Sequence, residues 1–246
     1  WTDPYFREGI PELRKLITKA RFFTEEEKCL ALDKQIQILK DIIPTYKNLM
    51  DNGQIEVTLS PYYHPILPLL YDTNIAQDAN HKSMLPEINF SFPEDAKKQI
   101  DDAVNFYQSR FGRLPLGMWP SEEAVSAQII PFIIEAGINW IVTDEAILFK
   151  SVKKKHRDTH LLYKPHFLKT KEGQLNIIFR DKNLSDLIGF VYHNLKPEDA
   201  VKDFMQHLEN TASAFKDEDT LVTIAMDGEN AWEYYRNDGQ DFLKLL

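Results

Sequence analysis

Apolar residues along the chain follow two rhythms. Short runs, continuously apolar or alternating with polar residues, fall at Gln54–Ser60 (QIEVTLS), Leu114–Met118, Ile138–Thr143 (INWIVT), Leu175–Phe179 (LNIIF) and Leu221–Met226 (LVTIAM). These are read as strands. Between them the spacing turns helical. Leu32, Ile36, Leu39 and Ile43 make one face of a helix that Thr24 and Glu27 open as a capping box and that ends near Asn52-Gly53. Pro44 is expected to kink it. Ala96, Ile100, Val104, Tyr107 and Phe111 form a second stripe, with Ser91 and Glu94 as its capping box and Gly112 as its end. Val125, Ile129, Phe132, Ile133 and Ala136 form a third, between an N-cap at Ser121 and Gly137. Further helices are expected over 11–20, 184–189 and 197–215. Pro61–Pro68 is too rich in proline for helix or central strand and reads as a loop.

Strands alternating with helices are the grammar of a parallel α/β sheet or barrel. After each of the last four strand candidates a polar group follows at once: Glu122, Asp144, Arg180 and Asp227. Parallel strands bring such residues to one edge, where α/β proteins bind ligands. Glu122 is expected in the first turn of its helix, where the partial positive charge of the helix start favours an ionised carboxylate. Asp227 follows an apolar strand, and burial there would raise its pKa as a proton donor requires. A carboxylate that attacks and a carboxyl group that gives a proton are the pair a glycosidic bond needs. Each alone reads first as a helix cap or turn residue. Glu123 is expected to face solvent or a neighbouring loop.

Asp144 is a candidate to hold a hydroxyl group or, alternatively, an N-cap. Arg180 is a substrate contact or a structural ion pair. Trp119 and Trp232 flank the two carboxylates and either stack on a ligand or fill the core. His64 stands in the proline-rich loop, where it suits a polar contact in a cleft. Lys153-Lys154-Lys155-His156-Arg157 reads as a solvated basic loop.

Composition then removes classes of function. The chain has 246 residues and a net charge of −9, which argues against a nucleic-acid or anionic-membrane partner. Its single cysteine, Cys29, forbids an internal disulfide and any multi-cysteine metal site. No apolar run approaches a membrane span. The histidines show no HExxH spacing, and no DxDxDG loop supports calcium, so neither a metal nor a cofactor is expected. Phosphate-loop, dinucleotide and GxSxG signatures are also missing. The ends, a non-methionine start and Leu243-Lys244-Leu245-Leu246, suggest a piece of a longer protein. One cysteine and no leader favour the cytoplasm, with a secreted form as the alternative, since a missing amino end could have carried an export signal.

Three ordered segments carry a family resemblance. They are Gly53–Thr58 (GQIEVT) running into Tyr63–Leu69 (YHPILPL), Gly117–Glu122 (GMWPSE), and Met226–Glu233 (MDGENAWE); Arg180–Tyr192 adds to them. On these the chain resembles glycoside hydrolase family 57, closest in wording to the α-amylase and amylopullulanase branch. The resemblance implies a seven-stranded variant of the β/α barrel, a retaining mechanism and an α-glucan substrate. It puts Glu122 on the nucleophile and Asp227 on the acid/base, with His64, Trp119 and Asp144 on or near substrate contacts. The family's first strand, with its HQP-like motif, has no counterpart here, nor does the helical domain that follows the barrel. Residues 1–246 are therefore expected to be a single α/β catalytic domain, an incomplete (β/α)7 barrel whose partners include missing parts of its own polypeptide. Within the family, a 4-α-glucanotransferase or branching enzyme is an alternative to hydrolysis, and two alternatives from other classes stand beside this. One is a glucan-binding module without turnover; the other is a metal-dependent deacetylase or mannosidase in which His64 or His193 meets an aspartate on a metal.

Overall fold

A computed structural model describes residues 2–216, 218–228 and 230–246. The chain divides into two compact units: Val57–Ser185 with Asn210–Ala225, and Trp1–Glu56 with Asp186–Glu209 and Met226–Leu246.

The first unit is built on four strands, β1 (Gly117–Met118), β2 (Trp140–Asp144), β3 (His166–Lys169) and β4 (Gln174–Arg180), in the order β1-β2-β4-β3. β1, β2 and β4 are parallel, with Met118 opposite Ile141 and Asp144 opposite Arg180. β3 pairs with β4 antiparallel. Ile141, Val142 and Thr143 are buried in succession, as in a parallel strand covered on both faces. Ile100, Met118, Ile129, Ile133, Ile138 and Leu175 are fully buried around it. Each such side chain contributes roughly 1.5–3 kcal/mol of burial free energy. At Gly117 the backbone runs against the Trp140 indole so closely that a Cβ there would lie 2.3 Å from a ring carbon.

Two expected strands are reduced to single bridges. Leu59 bridges Met118, its N–H donating to the Gly117 carbonyl at 3.2 Å and its carbonyl accepting from Trp119 at 2.8 Å. Two residues earlier the Val57 carbonyl accepts the Tyr107 hydroxyl at 2.8 Å, so a side chain takes the place of a ladder bond. Thr223 bridges Arg180, and beyond it Ser185 Oγ accepts the Ala225 N–H at 3.1 Å while the Arg180 guanidinium donates to the Ala225 carbonyl at 2.7 Å. Both bridges are parallel, so five parallel segments follow one another in chain order.

The Pro93–Phe111 helix buries Ala96, Ile100, Val104, Tyr107 and Phe111 as expected, and Gly112 ends it at φ 73°. Its capping box does not form. Phe92 is the N-cap, Pro93 fills the first turn, and the Ser91 hydroxyl donates to the Tyr71 carbonyl instead. The third helix is much shorter than its stripe, Ile130–Glu135, with Gly137 just beyond at φ 83°. Ile129 and Ile133 are buried, whereas Val125, Phe132 and Ala136 are only partly so.

The second unit is mainly helical. In the Glu25–Asp51 helix the expected capping box is complete: the Glu27 N–H donates to Thr24 Oγ1 at 3.3 Å and the Thr24 N–H to Glu27 Oε2 at 2.8 Å. The helix continues through Pro44 without a break. Its apolar stripe is not core: Leu32, Ile36, Leu39 and Ile43 are all exposed. Farther along, Tyr192, Trp232, Tyr235 and Phe242 pack together with ring centroids 5.3–6.4 Å apart. Tyr192 donates to Asp203 and Tyr235 to the Ile188 carbonyl. Among the described residues no helix is long and apolar enough to cross a membrane.

Candidate active site

Glu122 does not open a helix. Past β1 the chain makes one tight turn, Ser121–Glu123, in which Glu122 (φ 54°) and Glu123 (φ 57°) both take the left-handed conformation. The helix begins eight residues after Glu122, at Ile130, so no helix dipole steadies the carboxylate. A non-glycine residue held in this region costs roughly 1–2 kcal/mol, and such costs gather at functional sites. The turn is pinned from both sides. Glu123 N–H donates to the Pro120 carbonyl at 2.8 Å, and the buried Thr143 hydroxyl of β2 donates to the Glu123 carbonyl at 2.6 Å. With two consecutive left-handed residues, Glu122 is turned outward, 67% of its side chain exposed, and Glu123 inward, buried to 8%. Of the two expectations for Glu123, solvent or a neighbouring loop, exposure to solvent is overturned.

His64 meets Glu122. Its Nε2 lies 3.4 Å from Glu122 Oε1, and its own backbone is left-handed at φ 58°. The loop that carries it is anchored on Gln99: the Tyr62 N–H donates to the Gln99 carbonyl at 3.1 Å and the Tyr63 N–H to Gln99 Oε1 at 2.8 Å. Gln99 and Thr143 thus position the pair, and nothing in local sequence pattern singles out either. Trp119 is partly buried between β1 and this turn, its N–H bound to the Leu59 carbonyl.

Asp144 and Arg180 come together at the ends of β2 and β4, with Arg180 Nη1 3.4 Å from Asp144 Oδ2. Asp144 Oδ1 also accepts the Ala146 N–H at 2.8 Å and caps the Glu145–Ser151 helix. Both structural alternatives weighed for these residues are therefore present. Since β1, β2 and β4 are parallel, Glu122, Asp144 and Arg180 share one edge of the sheet, as the strand-end pattern requires.

Asp227 and Trp232 belong to the helical unit. Asp227 is exposed, so the burial expected of a proton donor is not met there. Trp232 packs on Tyr235 and Phe242 and against Gly239, where a Cβ would lie 2.4 Å from the indole. Glu229, quoted in the same motif, lies outside the described residues.

The basic loop, expected to be solvated, contains an arginine anchored on two buried carboxylates. Arg157 Nε lies 3.0 Å from Glu145 Oε1, and its Nη2 lies 2.8 Å from Asp181 Oδ2. Asp181, 1% exposed, also accepts the Tyr163 hydroxyl at 2.7 Å and the Leu184 N–H at 3.0 Å. Burial alone would lower the Arg157 pKa, but its bond to Glu145 and the charges of Asp181 and Glu145 carry it upward. Burial, then the bond to Asp181, pushes the Tyr163 hydroxyl up. Among the described residues no three His, Cys, Asp or Glu side chains are grouped so as to hold a metal.

A family model for glycosyl hydrolase family 57 matches residues 1–246. Alpha-amylase 1 of Dictyoglomus thermophilum is 27% identical over 183 residues, 74% of this chain and 22% of that protein. The chain thus spans less than a quarter of the curated relatives it matches. The α-amylase AmyC of Thermotoga maritima superposes with a TM-score of 0.64 at 15% identity, over 98% of this chain and 54% of its own. A family 57 branching enzyme of Thermococcus kodakaraensis gives 0.62 at 17% identity, over 94% and 52%. At these identities the superpositions speak for the fold, which is α/β of the (β/α)7-barrel class. With the family model covering its whole length, the chain belongs to glycosyl hydrolase family 57.

Proposed function

We propose that this chain carries the catalytic centre of a retaining glycoside hydrolase acting on α-glucans such as starch and maltooligosaccharides, with pullulan as a further substrate to test. Residues 1–246 are read as one catalytic domain. The observation that carries the reading is the His64–Glu122 pair: an exposed carboxylate, in a strained and pinned turn at the carboxyl edge of parallel strands, faced by a histidine in the same backbone conformation. Glu122 attacks the anomeric carbon while Asp227 protonates the leaving oxygen; Asp227 then deprotonates water, which releases the sugar with its configuration kept. Asp227 enters through the resemblance of its segment to the family's. His64, Trp119, Asp144, Arg180 and Trp232 are the proposed substrate contacts. A single, exposed cysteine agrees with a cytoplasmic setting.

The names of two similar structures, the Thermococcus kodakaraensis branching enzyme and a 4-α-glucanotransferase of Thermococcus litoralis, keep a second reading open, in which a sugar hydroxyl replaces water and the reaction becomes transfer. One assay addresses both. The intact protein is given maltooligosaccharides, and the anomer first released is followed by NMR. The reading expects the α-anomer, with longer oligosaccharides accumulating if transfer dominates. Initial release of the β-anomer, or turnover unchanged in both Glu122→Gln and Asp227→Asn, overturns it.

A further inference from the structure

A carboxylate only accepts hydrogen bonds, so the contact between His64 Nε2 and Glu122 Oε1 requires the imidazole to carry a proton on Nε2. Among the described residues, His64 is the one hydrogen-bond partner of the Glu122 carboxylate, and its second oxygen, Oε2, has none. The two residues are 58 positions apart, each held in the left-handed conformation, one by a turn tied to Thr143 and the other by a loop tied to Gln99. Two independently anchored backbones thus aim their side chains at one another. A substrate contact alone would not require that.

We infer that His64 is a positioning residue that holds Glu122 by Oε1 and leaves Oε2 as the attacking atom, an inference that rests on the reading of Glu122 as nucleophile. The bond from Oε2 to the anomeric carbon forms as the glycosidic C–O bond breaks. That electron pair stays on the leaving oxygen, which takes the proton of Asp227. Oε1 becomes the carbonyl oxygen of the glycosyl ester and keeps the imidazole N–H. In the second step Asp227 takes a proton from water, the water oxygen bonds to the anomeric carbon, and the ester electrons return to the carboxylate against that N–H. At 3.4 Å the contact is long; catalytic hydrogen bonds of this kind commonly shorten once substrate is bound.

The test compares the wild type with His64→Asn and His64→Gln in the intact protein. Asparagine tolerates the left-handed backbone but is too short to reach Oε1, whereas the glutamine amide nitrogen can stand where Nε2 stands. The probe is 5-fluoro-α-D-glucosyl fluoride, whose ester is located by peptide mass spectrometry, alongside kcat and KM on maltooligosaccharides. Ester on Glu122 in the wild type, a loss of about 10²-fold in its rate of formation and in kcat for His64→Asn at nearly constant KM, and recovery of about tenfold or more by His64→Gln support the inference. If His64→Asn fails to fold, His64→Gln against the wild type carries the comparison, and a large rise in KM at constant kcat overturns it. That same KM-only effect in either variant, with the ester still on Glu122, overturns the positioning role and leaves the proposed function standing. Ester on another carboxylate overturns both.

Discussion

The group of Arg157 with the buried Glu145, Asp181 and Tyr163 and the open pair of His64 and Glu122 both stand at carboxyl ends of parallel segments, yet differ in how their charges are held. In the first, Asp181 is 1% exposed and accepts from a guanidinium, a phenol and a backbone N–H. Neither it nor Arg157, Glu145 or Tyr163 has a left-handed backbone. In the second, the carboxylate is two-thirds exposed, meets one partner at the edge of hydrogen-bond range and sits on a left-handed backbone. A charge with both oxygens engaged is fixed in place and serves the fold. A charge with one oxygen unoccupied, displayed at a conformational cost, is available for chemistry.

The contrast can be broken by substitution. The largest effect is expected at Glu122→Gln: turnover of maltooligosaccharides falls by roughly 10⁴-fold, while stability in urea changes by no more than about 0.5 kcal/mol. A comparable loss of stability would show the turn to be structural. Asp227→Asn should lower kcat by about 10²–10⁴-fold, and an activated substrate needing little protonation should recover much of it. Arg157→Met should do the opposite, costing roughly 3 kcal/mol in urea unfolding because Asp181 and Glu145 are left buried without their counter-charge. The low end of the usual range is expected, since the Arg157 side chain is 31% exposed. Stability unchanged in Arg157→Met would return the loop to the solvated status its sequence suggests.

The smallest effect is a titration. Burial pushes the Tyr235 hydroxyl up to about 12, and the Tyr163 hydroxyl is also raised. Unfolded tyrosine ionises near pH 10. A folded pKa above that value means the contribution is whole below pH 10 and is lost as pH climbs through about 12. The thermal midpoint should therefore fall across that range, and less steeply in Tyr235→Phe. An equal slope in the variant would put the alkaline loss elsewhere.

What could be read from sequence was what depends on neighbours in the chain. Thr24 and Glu27 form their box because three residues fix the geometry, and the stripe from Ala96 to Phe111 is buried because helical spacing puts those residues on one face. β2 and β4, apolar and long enough to be central, were legible for the same reason. Partners drawn from far away were not. Arg157 looked solvated because Glu145 and Asp181 reach it only through folding. Ser91 lost its capping role to the Tyr71 carbonyl, and the left-handed turn at Glu122 leaves no mark in a segment without glycine at that position. β3 was missed although Thr170-Lys171-Glu172-Gly173 is a hairpin turn, with Thr170 N–H donating to the Gly173 carbonyl at 2.8 Å. At the site, the edge shared by Glu122, Asp144 and Arg180 followed from the strand pattern, whereas the meeting of Glu122 with His64 did not.

The contact between Gly117 and Trp140 has a consequence for how this sequence can vary. Even a methyl group at 117 would press on the indole and lever β1 off β2, shifting the peptide five residues before Glu122. A saturation library at 117 should accordingly return glycine among active clones, unless position 140 is opened to smaller residues in the same library.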